Sequence, residues 1–311
     1  MIKIGVFGLS GKAIDLIRKI QRKTKNTQIL FFTHGMPSDY SPQEHNLFSS
    51  TDPVDLISRS DRVIFSDPSS GDMPFIRHAL CESTPLFFIN TGNLTPENMN
   101  EIVRLSGEAE TPAVCFNPIW THFTSGKIPV VVSNPFYAEM IYSLPPLQFK
   151  TEKALDHLLF SLESILRIFH AFPKKPVVNI YSSSLVRTDM IHVRLDFDNR
   201  AMALFRYEGL SQSREYYFRL IQSGHLIKYD FKAGEVHHSL IKPEGLYDAG
   251  SALLPDNNHS LFRSWQFLLS EEKEKNIFME DRLTTTRIQQ YIRDKVRHNS
   301  LMPRHAVKNL Q

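Results

Sequence analysis

The sequence predicts a two-domain α/β protein: an N-terminal domain built on a parallel sheet, then an α+β domain with an open, mostly antiparallel sheet. Three observations predict it. Apolar strand-like runs alternate with helix-spaced runs as far as Phe116. Prolines 118, 129, 135, 145 and 146 then break that rhythm. One long amphipathic stretch follows, and after it a succession of β-like stretches with no helix between them.

Ile2–Phe7 is apolar almost throughout, as a parallel strand covered on both faces should be. After Gly8-Leu9-Ser10-Gly11, the residues Ala13, Leu16, Ile17 and Ile20 recur at helical spacing. Gln28–Phe32 is the next strand, which completes a βαβ unit. Helix Val54–Ser60, strand Arg62–Phe65, helix Phe75–Leu80 and strand Pro85–Ile89 continue the alternation. Thr95-Pro96 starts a helix with a hydroxyl at the N-cap and proline at the first helical position. Ala113–Phe116 is a fifth strand.

In the second half, Leu155, Leu158, Leu159, Leu162, Ile165, Leu166 and Phe169 form the apolar stripe of one long helix. Strands are expected at Val177–Ser182, Met190–Phe197, Met202–Tyr207, Tyr216–Leu220, Leu226–Phe231 and Val236–Ile241, with a hairpin at Asp198-Asn199. Two helices, Leu261–Leu269 and Asp281–Arg297, close the chain. The domains are therefore drawn at 1–118 and 119–311, the last helices being able to pack back on the first.

Composition narrows the function classes. With 41% hydrophobic and 22% charged residues, the 311-residue chain is globular and can bury more than one ordinary core. Its formal charge is only +3, and the basic run Arg18, Lys19, Arg22, Lys23 and Lys25 falls on the outward face of a helix, so no nucleic-acid partner is expected. No apolar run reaches the roughly 18 residues of a membrane span. The first apolar run is interrupted by Gly5 and Gly8 and reads as a strand, not a signal peptide. Cys81 and Cys115 alone make neither a disulfide framework nor a zinc site, so a reducing cytoplasm is the expected compartment. His237 and His238 are consecutive on a strand and point to opposite faces, so no metal is expected there.

The glycine turn carries the chemistry. Gly8, Ser10 and Ala13 stand where a Rossmann nucleotide-binding domain has the small residues of its G-x-G-x-x-G/A turn, which lets backbone N–H groups at a helix N-terminus meet a pyrophosphate. Serine at the middle position narrows that space, and Gly11 beside it restores backbone freedom. Lys12 adds a cation. The second strand ends in Thr33-His34, without the acidic residue that holds a ribose 2′-hydroxyl and without an arginine for a 2′-phosphate, so NAD and NADP both remain open.

In order and spacing, nearly the whole chain resembles the glucose–fructose oxidoreductase, inositol dehydrogenase and MocA (Gfo/Idh/MocA) family. The resemblance is carried by Ile4-Gly5-Val6-Phe7-Gly8-Leu9, by Asp61-Arg62-Val63-Ile64-Phe65-Ser66-Asp67-Pro68, by Phe116-Asn117, and by the stretch Lys153 to Phe160, which is similar to the helix bearing H-x-x-D-x-x-x-W. It implies a nicotinamide cofactor held by Gly8, Ser10, Gly11, Lys12, Ala13, Thr33, His34, Ser66, Asp67, Pro68, Asn90, Thr91 and Asn117. It also implies a substrate site lined by Asn90, Thr91, Asn117, His122, Lys153 and Asp156.

The catalytic residues depart from the family pattern. Where the family's fourth strand ends in Glu-Lys-Pro, this chain has Asn90-Thr91-Gly92, and the helix histidine is replaced by Lys153. Two readings follow. In one, the chain is an atypical NAD(P)-dependent oxidoreductase acting on a sugar-like or other small hydroxyl or carbonyl substrate. Lys153 is then the acid–base group, its pKa lowered by burial and its ammonium held by Asp156, with His122 as a substrate contact. In the other, Lys153 is an ordinary solvated lysine and the chain is a non-catalytic nucleotide- or metabolite-binding sensor or scaffold. Under either reading the open C-terminal sheet offers a face for a homo-oligomer or a substrate cleft.

Overall fold

The computed structural model describes residues 1–301 except 25, 33–46, 51, 124–131, 133, 147, 172, 175, 183–187, 255–256 and 270–276. The chain divides into two units, the first formed by residues 1–121 and 256–286, the second by residues 122–255 and 287 onward.

In the first unit, strands β1 (Ile2–Phe7), β2 (Thr27–Phe32), β3 (Leu47–Ser49), β4 (Arg62–Phe65), β5 (Leu86–Phe88) and β6 (Ala113–Cys115) form one parallel sheet in the order β3-β2-β1-β4-β5-β6. Five of these match the sequence expectation, and β3 is an addition at the edge. It pairs only three residues with β2, too short to show a periodic pattern. The chain leaves β1 toward β2 on one side and returns to β4 on the other, so the carboxyl ends of β1 and β4 flank a switch point of the sheet.

Because side chains alternate along a strand, each strand feeds two cores. Ile4, Val6, Ile29, Phe31, Ile64, Phe87 and Val114 pack against α1 (Gly11–Lys23) and α7 (Asn257–Leu269). Leu30, Val63, Phe65, Leu86, Phe88 and Ala113 face α2 (Pro53–Ser58), α3 (Met73–Cys81), α4 (Pro96–Glu108) and the first turns of α8 (Ile277–Leu301). Gly5 permits the close approach of α2 to β1: a Cβ there would lie 2.5 Å from Leu56 Cδ2. Thr95 caps α4 as expected, its hydroxyl accepting from Asn98 N at 3.2 Å.

In the second unit eight strands form one sheet: β7 (Tyr137–Ser143), β8 (Val177–Tyr181), β9 (Met190–Asp196), β10 (Met202–Glu208), β11 (Glu215–Gln222), β12 (His225–Asp230), β13 (Glu235–Lys242) and β14 (Gly245–Leu253). Their order is β14-β13-β12-β11-β7-β10-β9-β8, antiparallel throughout except between β7 and β10. The long helix α6 (Thr151–Phe169) covers one face with the leucine stripe read from the sequence. Two strands lie outside the sequence expectation. β7 sits between Pro135 and Pro145 and looks like broken chain, yet those prolines only bound a strand that is central in the sheet. β14 is an edge strand containing Gly245 and Gly250, mostly exposed, so no apolar period marks it.

One histidine pair predicts a pH-dependent stability. His225 Nδ1 and His238 Nε2 share a hydrogen bond of 2.9 Å between β12 and β13. Burial, followed by the repulsion of His225, holds the His238 pKa below the ordinary histidine value, with Asp248 opposing. A depressed base contributes stability that is present above its unfolded pKa, about 6.5, and is lost as pH falls through the folded value. Melting temperature should therefore hold from pH 8 to 7 and fall below about pH 6. His238→Leu should flatten part of that fall; an unchanged profile would show that the pair plays no part.

Candidate functional site

The turn after β1 lies at the switch point. Gly8 has φ 79°, a conformation that favours glycine. Its N–H donates to the Phe32 carbonyl at 3.0 Å, which ties the turn to β2. Ser10 is the N-cap of α1, and its Oγ accepts from Ala13 N at 3.3 Å while sharing a 2.5 Å hydrogen bond with Ser66 Oγ at the end of β4. The serine that replaces the middle glycine is thus turned onto its own helix and the neighbouring strand. The backbone N–H groups of Leu9, Ser10, Gly11 and Lys12 have no protein acceptor among the described residues. A Cβ built on Gly11 meets nothing within 4 Å, and Ser10, Gly11 and Lys12 are exposed. An open row of N–H groups at a helix N-terminus, with a lysine beside it, suits a pyrophosphate.

The neighbouring strand ends supply polar groups. Asp67 follows β4, and its Oδ1 accepts from Asn90 Nδ2 at 2.9 Å and Asn93 Nδ2 at 3.1 Å. Partial burial raises the Asp67 pKa; the Asn90 amide and Lys12 oppose, while Asp72 adds to the rise. Pro68, next in the chain, is buried. Lys12 Nζ lies 5.8 Å from the centre of the Phe116 ring. Asn117 is occupied locally, its Oδ1 capping α5 (Pro118–Phe123) through the N–H groups of Ile119 and Trp120.

Thr91 is buried, and its Oγ1 accepts a hydrogen bond from Arg282. Sequence reasoning missed Arg282. It stands 191 positions from Thr91, and the one local signal was an arginine among the inward-facing residues of the last helix.

Thr33 and His34 lie outside the described residues, as does the side chain of His122 in α5. In the second unit, Lys153 and Asp156 are both exposed on α6. The burial that the acid–base reading expects of Lys153 is therefore absent. A half-buried group near them on that helix is His157, which the sequence reading did not select. Its Nδ1 is 3.1 Å from Tyr216 Oη, and its ring is 4.4 Å from that of Tyr142. Burial, then the nearby Tyr142, pushes the Tyr216 phenol far up, so it stays protonated and can donate to His157. His157 directly follows Asp156, on the sheet-facing side of the stripe, and that position was the available signal.

No family model and no curated protein sequence matches the chain. Solved structures do match in fold. The UDP-N-acetylglucosamine 3-dehydrogenase of Acidithiobacillus ferrooxidans superposes with a TM-score of 0.73 at 13% identity, covering 94% of this chain and 97% of that one. An apo scyllo-inositol dehydrogenase of Lactobacillus casei gives 0.68 at 13% identity, covering 96% and 97%. A biliverdin reductase of Synechocystis, solved with biliverdin and NADP+, gives 0.66 at 14% identity, covering 94% and 98%. The chain has the fold of Gfo/Idh/MocA-type dehydrogenases. Among the described residues, no helix is long and apolar enough to cross a membrane.

Proposed function

We propose that the chain is an oxidoreductase that binds NAD or NADP and acts on a sugar-like or other small hydroxyl or carbonyl substrate. The observation that carries this reading is the open row of N–H groups from Leu9 to Lys12 at the switch point of a parallel sheet. Those groups and Lys12 would hold the pyrophosphate, with Ser66, Asp67 and Asn90 bordering it. A bound nicotinamide would supply the hydride chemistry. Lys153 is the candidate acid–base group, and Asp156 and His122 are further candidates. The departures at Asn90-Thr91-Gly92 and at Lys153 favour the second reading, a binding protein without turnover. Two free cysteines suit a reducing cytoplasm.

The open face of the eight-stranded sheet is the proposed homo-oligomer surface. Its charges are already ordered in pairs, Arg219 with Glu139 at 3.0 Å and Lys228 with Asp230 at 3.3 Å.

The test is binding of NADH and NADPH, followed by nucleotide fluorescence and by retention through gel filtration. One of the two should bind, and Lys12→Glu should weaken it about tenfold through lost attraction to phosphate. Absence of binding would overturn the reading. With a panel of sugars and keto acids, Lys153→Met should abolish turnover and spare cofactor affinity. Binding without turnover on every substrate would favour the second reading.

A further inference from the structure

Arg282 on α8 is 1% exposed, one of the largest fully buried side chains in the protein. Its Nη1 donates to Thr91 Oγ1 at 2.8 Å and its Nη2 to the Phe116 carbonyl at 3.0 Å. Thr91 lies just past β5 and Phe116 just past β6, so a single guanidinium ties together the carboxyl ends of two neighbouring parallel strands. Arginine has donors and no acceptor. The proton of the Thr91 hydroxyl therefore cannot point back at it.

Thr91 is itself only 3% exposed, and among the described residues its O–H has no acceptor. A buried donor left unpaired is costly, and a hydroxyl that accepts from a cation is polarised into a stronger donor. Asn90, its neighbour in the chain, is committed to Asp67. The acceptor that suits Thr91 is an oxygen arriving with a ligand.

Position selects which oxygen. The pyrophosphate turn stands between β1 and β4, and a dinucleotide lies across that switch with one half on each side. β5 adjoins β4 on the side away from β2, the side of the nicotinamide half, whose ring carries an amide oxygen. We propose that Arg282 and Thr91 form a polarised donor pair, in which Thr91 Oγ1 donates to the carboxamide oxygen of a bound nicotinamide. Arg282 acts as a positioning residue that never touches the ligand. The inference rests on the dinucleotide reading above and adds to it the group that recognises the nicotinamide end.

The experiment compares two probes: NADH or NADPH, whichever the wild type binds more tightly, and the matching ADP-ribose or its 2′-phosphate, which lacks the nicotinamide ring. Thr91→Val should weaken the full dinucleotide about tenfold and leave the ring-less probe within about twofold; Thr91→Ser should restore most of the loss. If Thr91→Val does not fold, Arg282→Lys answers the same question, because it keeps the charge and loses the fork; the dinucleotide should again weaken selectively. Equal weakening of both probes would overturn the pair as a nicotinamide donor and leave it a structural tie. Unchanged affinity for both would overturn it as well. In each of those cases the dinucleotide reading survives. A wild type that binds none of the probes overturns both.

Discussion

Trp265→Ala is expected to destabilise the first unit by about 3–5 kcal/mol, the range for removing a buried tryptophan. Trp265 is 2% exposed on α7 and meets the Phe87 ring edge-on, with centroids 5.8 Å apart. Leu261, Phe262 and Leu268 of the same helix join it against the sheet face that α1 also covers. Truncation would open a cavity between α7 and the sheet, and a close-packed interior refills such a space only in part. Urea or thermal unfolding measures the loss. With two units two transitions are expected, and the shift should fall on the one that reports residues 1–121 and 256–286. Lys19→Ala, which removes only the cation 5.9 Å from the Phe262 ring, should change stability by less than about 0.5 kcal/mol. A Trp265→Ala loss below about 1 kcal/mol would mean that α7 does not hold the sheet.

Glu163→Ala should cost the second unit a comparable amount, again about 3–5 kcal/mol, because it strands a buried guanidinium. Glu163 and Arg167 are one helical turn apart on α6, both buried, and joined by a salt bridge. Taking two charges out of water costs several kcal/mol per ion, and their attraction repays it only while both are present. The double variant Glu163→Leu with Arg167→Met should therefore recover wild-type stability or exceed it by about 1–4 kcal/mol. Denaturant unfolding of the two single variants and the double one completes the cycle. A double variant as unstable as the singles would show that the charges hold more than each other.

Much of this molecule could be read along the chain, because the signals were local. The stripe Leu155 to Phe169 repeats every three or four residues, and all seven of its apolar members are buried. Thr95-Pro96 marked a helix start by its own chemistry, and the Gly8–Ala13 turn was recognisable because an N-cap and a positive φ are short-range requirements. Ser66 and Asp67 came from the family resemblance and Asn90 from the rule that sites gather at the carboxyl ends of parallel strands, and all three do stand just past the ends of β4 and β5. Lys153 was read as a buried group held by Asp156, yet both are exposed on α6, because burial is a tertiary property; His157 of the same helix is the one that reaches Tyr216.

What the sequence by itself determined is most of the elements, the parallel character of the first sheet, the helical stripe and the glycine turn, each signalled by residues within a few positions of one another. Only the tertiary structure decided that β7 is central in its sheet, that α7 and the start of α8 complete the first core, and that Arg282 grips Thr91 and the end of β6. The physical reason is distance along the chain. A strand's neighbours and a buried cation's acceptors are chosen by which surfaces can be brought together and desolvated, and here those partners lie many tens of residues apart, beyond the reach of any local period.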